Sequence, residues 1–305
     1  MKPASQQTET INSSRASEFP FTVDDFERVR ELIYRRAGIA LGDTKQQMVY
    51  SRLVRRLRAN GAPSFSAYLD MLERQPDSPE WEAFTNSLTT NLTSFFREEH
   101  HFPILAEHVR KLGGPISVWC SASSTGEEPY SIAMTLCEAF GTLTPPATIV
   151  ATDIDTNVLA TAERGVYPMS NLNRMQEQRL RKFFLKGKGA QAGLARVRPE
   201  LRNMITFKQL NLLEERDKWP LNGPFDAIFC RNVMIYFDKP TQSRILARFV
   251  PLMKPDALLF AGHSENFLYV SNAFRLRGKT VYQLAGAAGG GAGGRFGSQR
   301  MTVAA

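Results

Sequence analysis

The groups in this chain that could do chemistry gather in short strings, each just behind a run rich in Val, Ile, Phe or Trp. Behind ISVWC lies Ser121-Ala122-Ser123-Ser124-Thr125-Gly126-Glu127-Glu128. Its small residues allow a ligand close to the backbone, and the acidic pair opens an amphipathic stretch that reads as a helix. Two carboxylates at a helix start repel phosphate and suit a cationic amino group. The string also lacks the glycines of a dinucleotide turn. Behind ATIVAT stand Asp153 and Asp155. A carboxylate at a strand end accepts two hydrogen bonds and can clamp a ribose diol, the role expected of Asp153. Asp155 reads as the cap of the next helix. Behind MITFKQL come Asn211 and Leu212, an amide and an apolar side chain able to hold an adenine edge and face. Behind FDAIFC, the string from Arg231 and Asn232 to Tyr236 and Phe237 sets polar and aromatic groups where a reacting centre would sit.

These strings share a surface only if the runs before them are strands of one sheet. From residue 113 onward, β-prone runs alternate with amphipathic helical stretches, the pattern of a mostly parallel α/β sheet with helices on both faces. In such sheets ligands bind beyond the C-terminal ends of the strands. Four strand ends with matching chemistry, in the right order, point to a nucleoside-type ligand. The pattern predicts a last hairpin near 274–284 with a Gly-Lys turn. The glycine-bearing stretch at about 186–204 predicts a small β insertion ahead of the strand MITFKQL. Residues 21–95 instead repeat apolar positions three and four apart and predict a small helical module. Asp24 or Asp25 is expected to cap its first helix, and a linker helix is expected over 96–112. The polar residues 1–20 and the Gly/Ala-rich residues 285–305 read as tails that cannot bury a core.

The composition is that of a globular protein, 43% hydrophobic and 22% charged. No apolar run reaches the roughly 18 residues of a membrane helix, and the first residues lack the apolar stretch of a signal peptide. Cys120, Cys137 and Cys230 are an odd number with no CxxC pair, which argues against a disulfide framework or zinc site and fits the cytoplasm. Cys120 and Cys230 end neighbouring strands and read as packing thiols. A net charge of +8 calls for a negatively charged partner.

The strings SLTTNLTSFFRE, STGEEPYSIAM, ATDIDT, GPFDAIFCRNVMIYF and LLFAGHSEN resemble those of the chemotaxis receptor glutamate methyltransferase family, CheR, from about residue 21 to 284. The resemblance implies a small all-helical domain, a class I Rossmann-like methyltransferase domain with a β insertion, and S-adenosylmethionine as cofactor, with no metal. Carried over by motif, Asn91, Thr93, Arg97, Glu128, Asp153, Asn211, Leu212, Arg231 and Asn232 lie at the cofactor. The implied reaction moves a methyl group from a sulfonium to a glutamate carboxylate. That nucleophile is already ionised at neutral pH, with a reference pKa near ~4.3, and needs no general base. Arg97 and Tyr236 are expected to orient it, Arg97 by charge-assisted hydrogen bonds and Tyr236 through its hydroxyl; salt bridging of Arg97 to Glu98 or Glu99 is the structural alternative. His100 and His101 read as helix-surface residues.

The implied partner is the glutamate-bearing coiled coil of the receptors' cytoplasmic domain. In the helix around SRLVRRLR, Leu53, Val54 and Leu57 form one stripe, and Arg52, Arg55 and Arg56 point the opposite way. Those arginines are expected to steer the receptor surface toward the cleft. In part of the family the β insertion holds a peptide from the receptor C-terminus as an added strand, and the glycines of GKGAQAGLARVR are compatible with that. A nucleic-acid methyltransferase would carry an Asn/Asp-Pro-Pro-aromatic motif after the fourth strand and a basic strip interleaved with aromatics. This chain has Arg-Asn-Val-Met there, and no such strip.

Overall fold

The computed structural model describes residues 18–286, so both tails lie outside the described residues apart from 18–20 and 285–286. Four helices come first: α1 (Val23–Ala37), α2 (Gln46–Asn60), α3 (Phe65–Arg74) and α4 (Glu80–Leu88). Their apolar stripes, among them Phe26, Ile33, Leu53, Leu57, Phe65 and Phe84, close into one buried cluster. The cap of α1 is Thr22, not Asp24 or Asp25. Thr22 Oγ1 accepts the Asp25 N–H at 3.1 Å and the Asp25 carboxylate accepts the Thr22 N–H at 3.0 Å, a reciprocal box that satisfies two donors at once. At the far end Gly38 turns left-handed with φ 69°, and a Cβ there would stand 3.0 Å from Leu213 and Phe237. Glycine therefore both ends α1 and lets the sheet domain dock on it.

The rest of the chain runs α5 (His101–Leu112), β1 (Ile116–Cys120), α6 (Glu127–Phe140), β2 (Ala147–Asp153), α7 (Thr156–Arg164), β3 (Val166–Pro168), α8 (Glu177–Phe183), β4 (Phe184–Lys186), β5 (Leu194–Val197), α9 (Pro199–Arg202), β6 (Ile205–Gln209), β7 (Phe225–Cys230), α10 (Lys239–Phe249), β8 (Met253–Ala261), β9 (Phe274–Gly278) and β10 (Val281–Leu284). Seven strands form one sheet in the order β6-β2-β1-β7-β8-β10-β9. The first five are parallel, and β10 runs antiparallel to both neighbours. Alternate residues feed the two faces: Val118, Ile149 and Phe229 pack under α5 and α6, while Trp119, Ile228 and Tyr282 pack with α10. The chain winds from β1 outward to β6, then returns to β7 on the other side of β1. That reversal opens a crevice above β1, the switch point where ligands bind.

Two boundaries differ from the sequence reading, while the last hairpin falls at 274–284 as expected. The small sheet, in the order β3-β5-β4, spans residues 166–197 rather than 186–204. Its first strand is the short VYP that follows α7, and Pro199 starts a helical turn where strand was expected. The linker helix begins at His101, not at 96, because Phe96 and Glu98 have φ of 54° and 53°, which no right-handed helix accommodates. The last hairpin turns through Lys279 and Thr280, both at positive φ, as a tight two-residue turn requires.

Candidate active site

A cleft of about 250 Å³ opens between the helical module and the C-terminal ends of β1, β2, β6 and β7. Every residue expected at the cofactor lines it: Asn91, Thr93, Arg97, Glu128, Asp153, Asn211, Leu212, Arg231 and Asn232, together with Tyr236. The helical module supplies a wall of its own, including Ile39, Leu41, Lys45 and Met48.

Asp153, at the end of β2, is only 8% exposed. Backbone N–H groups of Ser124 at 2.8 Å and Asp155 at 3.0 Å aim its carboxylate. Burial raises its pKa to about 6, against those hydrogen bonds. Asp155 caps α7 with one oxygen, as expected, and with the other accepts from Thr89 at 2.7 Å and Asn91 at 2.8 Å. The Asn91 amide and carbonyl thus fasten the interdomain segment, since the carbonyl also accepts from Ser124 at 2.9 Å. Asn211 does similar work: its amide donates to the Arg36 carbonyl at 2.9 Å and accepts the Leu213 N–H at 3.0 Å.

Deeper still, the Arg231 side chain is 1% exposed and lies between two carboxylates, Glu128 at 2.7 Å and Glu98 at 3.3 Å. It also donates to the Arg97 carbonyl at 2.5 Å. Burial pushes the Glu98 carboxyl up, but hydrogen bonding from His263 and the charge of Arg231 prevail and hold it at about 2. Glu98 also accepts from Asn232 at 3.3 Å. Two carboxylates around one guanidinium leave that buried cluster with an excess negative charge, while the cleft itself is lined by Glu128 and Asp153 together with Lys45, Arg97 and Arg231. The Arg97 guanidinium contacts the Leu92 carbonyl at 3.0 Å and makes no ion pair among the described residues, with Glu98 or Glu99 or any other. Tyr236 ends the turn Met234–Tyr236, and its hydroxyl has no hydrogen-bond partner among the described residues.

Comparison with known proteins accounts for this arrangement. Residues 24–89 match the family model described as the all-alpha domain of CheR methyltransferase, and residues 91–283 match the SAM binding domain of the same family. The chain belongs to the CheR methyltransferase family. It is 59% identical over 259 residues to the chemotaxis protein methyltransferase of Salmonella typhimurium, covering 85% of this chain and 89% of that one. It is 55% identical over 281 residues to the Klebsiella aerogenes protein of the same description, covering 92% and 96%. It is therefore a chemotaxis-type methyltransferase with an S-adenosylmethionine-binding domain.

Within this CheR fold, other expectations need correction. His101 is not on a helix surface: it is 0% exposed, its Nε2 lies 2.9 Å from the Lys279 carbonyl, and burial lowers its pKa to about 4. Because α5 starts at this residue, its ring turns inward against the last hairpin and Phe260. Leu53, Val54 and Leu57 are buried as the periodicity predicts, but the arginine face of α2 is mostly engaged. Arg52 donates to the Thr89 carbonyl at 2.6 Å. Arg56 grips Glu80 with two hydrogen bonds of 2.8 and 2.5 Å, and Tyr68 shares that carboxylate at 2.7 Å. Arg55 alone of the three is exposed without an ion pair among the described residues. None of the three lines the cleft.

Two carboxylates that brace the site from behind its lining escaped the sequence reading. Glu98 figured only as a neighbour of Arg97. Glu265 lay in the quoted string LLFAGHSEN without a role; it is buried and accepts the N–H groups of Asn232, Val233, Met234 and Gly262.

Removing one member of a buried ion pair leaves the others uncompensated, at a cost of about 3–5 kcal/mol. Arg231→Met keeps much of the volume and deletes the charge between Glu98 and Glu128. Denaturant unfolding should register a loss in that range, and a loss below about 1 kcal/mol would show that the triad holds nothing together.

Proposed function

We propose that this chain works in the cytoplasm and transfers the methyl group of S-adenosylmethionine to glutamate side chains on the coiled-coil cytoplasmic region of chemotaxis receptors. The observation that carries the reading is the presence, in one cleft, of the buried carboxylates Glu128 and Asp153 with a guanidinium and a phenol hydroxyl that have no side-chain partner among the described residues, Arg97 and Tyr236. The donor set fits the cofactor: Asp153 suits a ribose diol and Glu128 an ammonium. When bound, S-adenosylmethionine supplies a methyl group on a positively charged sulfur. The residues of this chain then have the task of bringing a carboxylate toward that charge. Arg97 meets the carboxylate with a planar pair of donors and Tyr236 with one more, so the nucleophile loses its water to fixed partners. Transfer to the carboxylate oxygen makes a methyl ester and S-adenosylhomocysteine, and no proton moves.

Two features support the receptor as substrate. Arg55, exposed on α2, offers a cation to an acidic helical surface. The small sheet leaves β3 and β4 as edges on either side of β5, able to accept an added strand from a receptor C-terminal peptide. No described helix is long and apolar enough to cross a membrane.

The affinity for S-adenosylhomocysteine should follow the ionisation of Asp153. Its ionised form is the acceptor, and its pKa of about 6 places the change within reach. Binding should be full above that pH and weaken as pH falls through it. Asp153→Ala should cost about 1.5–3 kcal/mol for each lost hydrogen bond to the carboxylate. Equal dissociation constants at pH 7.5 and pH 5 by calorimetry would remove Asp153 from the cofactor.

Tyr236→Phe keeps the ring and deletes the hydroxyl. Single-turnover methylation should slow by about tenfold or more, which is 1.36 kcal/mol of barrier. Arg97→Lys keeps charge but loses the fork and should be impaired as well. A wild-type rate in folded Tyr236→Phe would reduce the ring to packing.

At low salt Arg55→Glu should slow receptor methylation while leaving cofactor affinity intact, and added salt should narrow the gap, because exposed charges are screened over about 8 Å at physiological ionic strength. Equal rates for the two proteins at low salt would leave Arg55 a solvated side chain.

A further inference from the structure

Glu265, in the loop after β8, sits behind the cleft rather than in it, and the chemistry above gives it no part. Its Oε1 accepts the N–H groups of Val233 at 3.0 Å and Met234 at 2.8 Å. Its Oε2 accepts those of Asn232 at 2.9 Å and Gly262 at 2.6 Å. No Lys, Arg or His forms an ion pair with it among the described residues. A buried carboxylate without a counter-cation is costly, and peptide N–H groups from two loops supply its compensation. Packing alone would be served as well by an apolar side chain.

What the carboxylate fixes is backbone direction. Turning three successive N–H groups toward one point goes with Asn232 in the left-handed region, at φ 57°, where side-chain-bearing residues are uncommon. From the other side, Gln242 donates to the carbonyls of Met234 at 2.8 Å and Phe237 at 2.9 Å. The turn that carries Tyr236 is thus staked from two directions. Gly262 leaves the room: a Cβ there would run into Asn232 Nδ2 and stand 2.9 Å from both Asn232 N and Glu265 Oε2.

We infer that Glu265 is a positioning residue for methyl transfer, holding the Asn232–Met234 backbone so that the Tyr236 hydroxyl meets the incoming carboxylate. The inference rests on the receptor-methylation reading, and it adds a residue that touches neither cofactor nor substrate yet sets the rate.

Glu265→Gln preserves shape but puts an NH2 group, itself a donor, against one pair of backbone N–H groups. At saturating cofactor and receptor, kcat should fall by about tenfold or more. In a Tyr236→Phe background the same substitution should cost less than about threefold, because the hydroxyl it positions is already gone. A purely structural role would lower both backgrounds by the same factor. That result, or a wild-type kcat in Glu265→Gln, overturns the inference. Gly262→Ala displaces Asn232 without altering any charge and should reproduce the selective loss; it carries the same comparison if the Gln variant does not fold. If the unmodified enzyme transfers no methyl to receptors, the functional reading itself fails. If it does and the Gln variant matches it, only the positioning role fails.

Discussion

A guanidinium with almost no contact with water needs compensation on every side, and that requirement shapes the centre of this molecule. Arg231 obtains it from Glu128 at the start of α6, from Glu98 in the segment between the domains, and from the carbonyl of Arg97. Glu128 and the adjacent pair Arg97–Glu98 belong to different pieces of chain, so satisfying one charge fixes the sheet, the first α/β helix and the interdomain segment relative to one another. The approach to α5 bends through positive φ at Phe96 and Glu98 within the same knot. Strain of this kind persists where surrounding interactions over-determine the backbone, and it gathers at working sites. Once Glu98 and Glu128 are bound to Arg231, Arg97 remains at the cleft without an ion-pair partner among the described residues.

The charge distribution follows from the same knot. The chain as a whole carries +8, yet the cleft holds the buried carboxylates Glu128 and Asp153, with Glu98 behind them on the enclosed Arg231 guanidinium. A positive chain suits an acidic macromolecule, and carboxylates at the cleft suit a small cation. Buried Asp153, with its carboxyl raised to about 6, and Glu98, held at about 2, show how far neighbours decide charge at similar depth.

Much of this was legible in the sequence because strand ends advertise themselves. A Val/Ile/Phe run followed by polar residues locates both a strand and its tip, so the places of Asp153, Asn211, Arg231 and Tyr236 at the cleft were legible without any contact information. What stayed hidden depends on partners distant in the chain. Glu98 meets Asn232 across 134 residues, and Arg56 meets Glu80 across 24. Helical periodicity gave the face that Arg52 and Arg56 occupy, but nothing local shows that α4 and Thr89 close over that face. His101 was misread for a related reason: its burial comes from the hairpin turn at Lys279 and Thr280, 178 residues or more away. The small sheet was placed late because VYP, three residues behind a helix, has too little pattern to separate a strand from a connection.

The central claim is that this cleft joins a methyl group to a carboxylate on a receptor. Incubating the full-length protein with methyl-labelled S-adenosylmethionine and receptor-bearing membranes, then treating the products with mild base, tests it most directly. The account predicts label on receptor glutamates that base releases as methanol. Label that resists base, label on added DNA, or no transfer by protein that binds S-adenosylhomocysteine would contradict it.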